Sequence, residues 1–247
     1  MSKIQFTAEA NAYRIALNDP PLHIIDIAML EELRDALGKV KNDRHCLIIG
    51  ASGEKAFSAG ASVQDHLGDR AVAMLDRFHE CFRILAKLDI VTVAFVKGAA
   101  LGGGCELALA CDFILASDRA RFGQPEINLG VFPPVAAYQL SRQMPPRKGL
   151  ELLLTGETVG ANEIANAVFP VAEFDRRAEE WMQRLYKQSA SSLRFAKRAF
   201  RLAQNADFDQ RLAAVERLYL EELMKTQDAT EGLNAFIEKR QPLWRGR

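Results

Sequence analysis

Residues 97–130 read KGAALGGGCELALACDFILASDRARFGQPEINLG, and both the fold and the chemistry of the chain turn on them. Three successive glycines, Gly102, Gly103 and Gly104, stand before Cys105, Glu106 and the small apolar run 107–111. Glycines ahead of good helix formers predict a tight loop feeding a helix N-terminus, where free backbone N–H groups and the helix dipole favour negative charge. Between Gly98 and Cys111 the one charged residue is Glu106. A carboxylate in such apolar company is costly unless it is paired, hydrogen-bonded or protonated. Twenty residues on, Pro125-Glu126-Ile127 places a second acid in a turn between Phe122 and Leu129. Two acids in apolar settings suit general acid–base chemistry, although a pair of buried structural acids neutralised by helix-end N–H groups fits the same pattern. A dinucleotide site is excluded, because Leu107 stands where its third glycine belongs.

Outward from this stretch, strands and helices alternate. Residues 91–96 read as a buried β-branched strand leading into the glycines, and 113–116 and 121–122 as strands after them. Upstream, 4–6 and 13–17 form a predicted hairpin around Glu9-Ala10-Asn11. A helix follows from Asp26, with Leu30, Leu33, Leu37 and Val40 at helical spacing. The apolar run 46–49 predicts a buried parallel strand. Residues 53–66, GEKAFSAGASVQDH, predict a loop whose small residues would let a ligand approach the main chain, and an ordinary surface loop is the alternative. No GxSxG elbow frames Ser58 or Ser62, which argues against a serine hydrolase. A helix spans 69–88, with Ala71, Leu75, Phe78, Phe82 and Leu85 on one stripe and His79 beside it as a half-buried packing residue. Downstream, helices are predicted from Val135, over 148–154 and over 161–167, then an apolar run at 167–171. From Phe174 onward the pattern is helical, through Ala178, Trp181, Leu185, Leu193, Ala196, Phe200, Leu212, Val215 and Leu218. No internal repeat or linker composition is visible. The order implies an α/β core followed by a helical region.

The chain has 247 residues, Lys plus Arg balances Asp plus Glu at 32 each, and about half the residues are hydrophobic. The neutral balance carries no polybasic signature for nucleic acid or an anionic membrane. No segment has membrane-spanning length and the start lacks a signal-peptide core. Cys46, Cys81, Cys105 and Cys111 are scattered, with no metal-ligand spacing, as expected of reduced thiols in a cytoplasmic protein.

Three ordered blocks now carry a resemblance: 55–61 (KAFSAGA), 98–112 and 122–126 (FGQPE), with the tail 231–240 (EGLNAFIEKR). Together they resemble the enoyl-CoA hydratase/isomerase, or crotonase, family over nearly the whole chain. Within it, Asp65-His66, Phe78-His79 and the segment 132–137 are most similar to cyclohexa-1,5-diene-1-carbonyl-CoA hydratases of anaerobic aromatic acid breakdown. The resemblance implies a crotonase-like ββα superhelix as spiral core over 1–190, a C-terminal helical oligomerisation region over 191–247, and trimers paired into hexamers. It implies an acyl-CoA thioester as substrate, with coenzyme A part of that substrate and no metal or other cofactor.

By the same resemblance the N–H groups of Ala61 and Gly103 form an oxyanion hole, Glu106 deprotonates water and Glu126 delivers a proton to carbon. Ala59, Gly60, Ser62, Phe132, Pro134, Phe236 and Lys239 would contact acyl group or coenzyme A, the last two across a subunit boundary. For Phe236 and Lys239 the alternatives are helix packing and a solvated face. Ser62 departs from an aspartate common in relatives, and Pro134-Val135-Ala136-Ala137 replaces a glycine-rich turn. Two rival functions follow: a straight-chain enoyl-CoA hydratase or isomerase with the same acids, and a non-catalytic member that binds CoA esters or RNA.

Overall fold

The computed structural model describes residues 2–203 and 216–243. β1 (Ile4–Ala8) and β2 (Ala12–Leu17) form the expected antiparallel hairpin. Asp26 caps α1 (Ile27–Gly38), its Oδ1 accepting from the Met29 N–H at 2.9 Å. This side chain supplies one of the acceptors that a helix N-terminus lacks. The apolar run at 46–49 is β3 (Cys46–Ala51), parallel to β2.

From β3 the chain repeats one path three times. One strand joins a six-stranded sheet, the next joins a four-stranded sheet, and helical structure closes the turn. The first turn is β3, β4 (Ala56–Ser58) and α2 (Arg70–Lys87); the second is β5 (Val91–Val96), β6 (Ala99–Leu101) and α3 (Gly103–Leu109). The third is β7 (Phe113–Ser117), β8 (Arg121–Gly123), and then α4 (Pro134–Gln143) and α5 (Pro146–Thr155). Strands β3, β5 and β7 are parallel neighbours in the large sheet, and β4, β6 and β8 in the small one. This is the ββα spiral of the crotonase fold. Parallel pairing buries strands on both faces, which explains why 46–49 is apolar throughout and 91–96 is apolar except for Thr92.

Several expectations change. The loop at 53–66 holds β4 and a 3-10 turn, Val63–His66. The helix expected at 161–167 is one 3-10 turn, Ala161–Glu163, followed by β10 (Ala167–Phe169), which pairs with β7. Asn166 decides this, because its Oδ1 accepts from the Ile114 N–H while its own N–H donates to the Ile114 carbonyl, both at 2.8 Å. β9 (Thr158–Gly160) closes the small sheet. His79 is wholly buried rather than half-buried, since its Nδ1 hydrogen-bonds Glu216 Oε1 inside the fold.

α6 (Phe174–Tyr186) lays Phe174, Ala178, Met182 and Leu185 on the outer face of the large sheet, against residues such as Ile48, Val93 and Leu115. α7 (Ala190–Ala203) is tied back by Lys197, whose ammonium lies 2.5 Å from Asp112 Oδ2 and donates to the Ile90 carbonyl. Leu212 and Val215 of the helical pattern lie outside the described residues. The chain then makes a π-helical turn, Leu218–Glu222, and α8 (Gln227–Ile237), capped by Thr226 Oγ1 on the Ala229 N–H at 3.1 Å. α8 packs on the turns that follow β4 and β8, so the C-terminal segment covers the ends of the small sheet.

Candidate active site

The second and third turns of the spiral bring the two acids together. Glu106 lies in α3, 3 % exposed, and its Oε1 accepts from the Ala136 N–H at 2.7 Å, with the Val135 N–H as a second donor. These donors exist because of the prolines. Pro134 occupies the first position of α4, where its missing N–H costs nothing, so the next N–H groups are free for an outside acceptor at the positive end of the helix dipole. Gln139 Nε2 also donates to the Glu106 carbonyl at 3.2 Å, pinning α4 to α3.

Glu126 sits in the 3-10 turn Pro125–Leu129, and its Oε2 is buried with no hydrogen-bond partner among the described residues. Gly102 makes room for it: φ is +50°, and a Cβ there would lie 2.4 Å from Glu126 Oε1. Both carboxyls are pushed above the ordinary carboxylate range. For Glu106 the cause is burial, opposed by its two backbone N–H donors. For Glu126 it is burial and then the negative charge of Glu106, with less opposing it. The N–H donors at Glu106 favour its charged form, and Glu126 Oε2 has no such partner among the described residues. Two buried carboxyls lie within reach of each other's charge, set apart by their surroundings.

The expected oxyanion groups also converge. Gly103 is the first residue of α3, so its N–H has no intrahelical acceptor. Ala61 forms a parallel bridge with Ile25 whose hydrogen bonds run from the Ile25 N–H to Gly60 O (2.9 Å) and from the Ser62 N–H to Ile25 O (3.0 Å). The Ala61 N–H is outside that ladder. A Cβ built on Gly103 would stand 3.3 Å from the Ala61 nitrogen and 3.0 Å from the Phe78 ring, so the two positions adjoin and a side chain would crowd the space. Gly104 lets α3 lie directly on β4, since a Cβ would come within 2.6 Å of Ser58. Ser58 itself is engaged, donating to His23 O at 2.8 Å and accepting from the Gly60 N–H at 3.1 Å, as a structural hydroxyl rather than a nucleophile.

Ala59, Gly60 and Ser62 share the Ala61 loop, with the Ala59 N–H donating to Leu22 O at 2.8 Å. Phe132 packs on the core and meets the Tyr219 ring edge to face at 5.4 Å, while Pro134 is buried at the start of α4. Phe236 and Lys239 lie at the exposed C-terminal end of α8, Phe236 55 % exposed. Sequence reasoning missed Val135 and Ala136, whose function lies in backbone N–H groups and carries no side-chain signature. It also missed Tyr219, more than ninety residues beyond Glu126 and visible at the site only once the chain is folded.

Known proteins resemble this chain over nearly its whole length. A family profile described as enoyl-CoA hydratase/isomerase matches residues 7–247. The chain is 38 % identical over 255 residues to a cyclohexa-1,5-dienecarbonyl-CoA hydratase of Thauera aromatica, covering 99 % of this chain and 97 % of that one. It is 30 % identical to a short-chain-enoyl-CoA hydratase of Clostridium acetobutylicum, covering 97 % and 96 %. Among solved structures, a carnitinyl-CoA hydratase from Mycobacterium avium superposes with a TM-score of 0.86 at 28 % identity, covering all of both chains. An enoyl-CoA hydratase from Mycobacterium avium subsp. paratuberculosis, 24 % identical with a TM-score of 0.87 over 98 % of each chain, shares the fold.

Proposed function

Since the chain belongs to the enoyl-CoA hydratase/isomerase family, we propose that it adds water to a conjugated enoyl- or dienoyl-CoA thioester, with cyclohexa-1,5-diene-1-carbonyl-CoA as its substrate. The observation that carries this reading is the pair Glu106 and Glu126, two buried carboxyls of unlike surroundings beside two unengaged N–H groups. The thioester carbonyl accepts from the Ala61 and Gly103 N–H groups, which draws electrons from the conjugated system and makes its far end electrophilic. Glu106 takes a proton from water as the oxygen bonds to that carbon. The electron pair moves into an enolate held by the same N–H groups, and Glu126 gives its proton to carbon. Glu106 ends protonated and Glu126 ionised, so one proton moving between them resets the site. Coenzyme A enters and leaves as part of substrate and product.

The cyclic substrate is favoured by the Thauera aromatica relative and by the segment 132–134. Phe132 and the two prolines that follow give this wall a bulky ring and a restricted backbone, which suits a flat six-membered ring better than a flexible chain. The working assembly is a trimer-based oligomer, most simply a hexamer. In its favour α5 and α7 leave Leu150, Leu154, Phe195 and Phe200 more than half exposed.

Following loss of conjugated-thioester absorbance with crotonyl-CoA and cyclohexa-1,5-diene-1-carbonyl-CoA side by side tests the substrate. The higher kcat/KM belongs to the cyclic dienoyl thioester. An equal or higher value for crotonyl-CoA replaces this reading with a straight-chain hydratase, and no turnover of either replaces it with a binding protein.

A further inference from the structure

Tyr219 is 1 % exposed, and its hydroxyl is buried with no hydrogen-bond partner among the described residues. A hydroxyl withdrawn from water without a partner costs about 1–3 kcal/mol, so such a group in a folded interior calls for an explanation. Its position supplies one. The ring rests edge to face on Phe132, two residues before the α4 N-terminus that holds Glu106. The charges of Glu126 and Glu106 reach the phenol and, after burial itself, hold its pKa above the ordinary tyrosine range, so it stays a proton-bearing donor. Glu126 Oε2 is the matching case, a buried oxygen with no hydrogen-bond partner among the described residues.

We infer that Tyr219 is a further catalytic residue, its O–H donating to the oxygen of the water that adds to the substrate. That water then has each of its directions assigned. One hydrogen goes to Glu106, the other to Glu126 Oε2, one lone pair accepts from Tyr219, and the second lone pair faces the carbon. A buried water typically keeps two to four polar partners, and this one satisfies both orphaned groups. Tyr219 keeps its proton throughout, so the proton balance between Glu106 and Glu126 is unchanged.

The C-terminal segment is anchored to make this possible. Glu216 Oε1, three residues before Tyr219, accepts from His79 Nδ1 at 2.5 Å and from Arg83 at 2.7 Å. Both partners belong to α2, whose Phe78 ring borders Gly103. Glu216 is thus a positioning residue for Tyr219.

The inference rests on the hydratase reading, and wild-type turnover separates the two: an inactive wild type defeats the function, not the role of Tyr219 alone. In an active enzyme, Tyr219→Phe keeps the ring and its packing on Phe132 and removes the hydroxyl. The expected result is a fall in kcat of about tenfold with KM and melting temperature close to wild type. Glu216→Gln supplies the second arm, since it loosens the anchor and leaves the hydroxyl in place. It lowers kcat in the wild-type background and has little further effect beside Tyr219→Phe, because both act on one contact. A Tyr219→Phe variant with kcat within about twofold of wild type overturns the inference, as does a Glu216→Gln loss of equal size in both backgrounds.

Discussion

At the residue scale, catalysis and burial are separable in Glu106 and Glu126. Glu→Gln preserves size and part of the hydrogen bonding while removing proton transfer. Loss of a positioned acid or base costs about 10²–10⁴-fold in rate. Glu106→Gln and Glu126→Gln are each expected to lose hydration activity on that scale while calorimetry still detects thioester binding. The double variant loses less than the product of the single losses, because both acids serve one transition state. Near-wild-type turnover in either variant would make that glutamate structural. The same variants report on stability. Folding raises both carboxyl pKa values above the ordinary 4.5. The stability linked to this is therefore fully present below that value and is lost as pH rises through the folded values. The melting temperature of Glu126→Gln, measured against wild type, should accordingly gain between about pH 5 and about pH 9, and a flat difference would refute the raised pair.

At the element scale, the same apolar stripe can be covered in different ways. The stripe of α6 is buried by its own chain, with Met182 wholly inaccessible against the large sheet. Met182→Ala leaves a cavity there and is expected to cost about 2–5 kcal/mol of unfolding free energy, read from urea denaturation. A loss well below that range would mean that the interface collapses onto the gap. α4 shows the opposite economy, in which an element matters for its end rather than its face. Its two prolines set where the helix begins, and that end holds Glu106. The α2 stripe was legible from spacing, and Leu75, Phe78, Phe82 and Leu85 are all buried as expected. The three-residue strands β4, β6 and β9 were not, because three residues are too few to display a period of two.

At the scale of the molecule, the exposed leucines of α5 lie four residues apart, on one face, and α7 exposes Phe195 and Phe200. α6 contributes nothing to such a surface, having spent its stripe on the large sheet. Light scattering is expected to give a mass that is a multiple of three chains, as the proposed trimer-based assembly requires. A stable, active monomer at micromolar concentration would exclude that assembly.

Local chemistry determined a good deal without the fold. Asp26 starts a helix because its side chain satisfies the Met29 N–H, and the glycines before Glu106 announce a helix end because nothing else tolerates that turn. The two acids were legible because a lone charge in an apolar run has few innocent explanations. Tertiary structure alone decided how they differ. Glu106 meets a backbone N–H donor thirty residues away, and Glu126 Oε2 has no hydrogen-bond partner among the described residues and feels the charge of Glu106. The spiral has no repeat in the sequence, since its turns share a path rather than side chains. Backbone N–H groups, orphaned oxygens and the hydroxyl of Tyr219 acquire their roles from distance and desolvation, and neither exists along an extended chain.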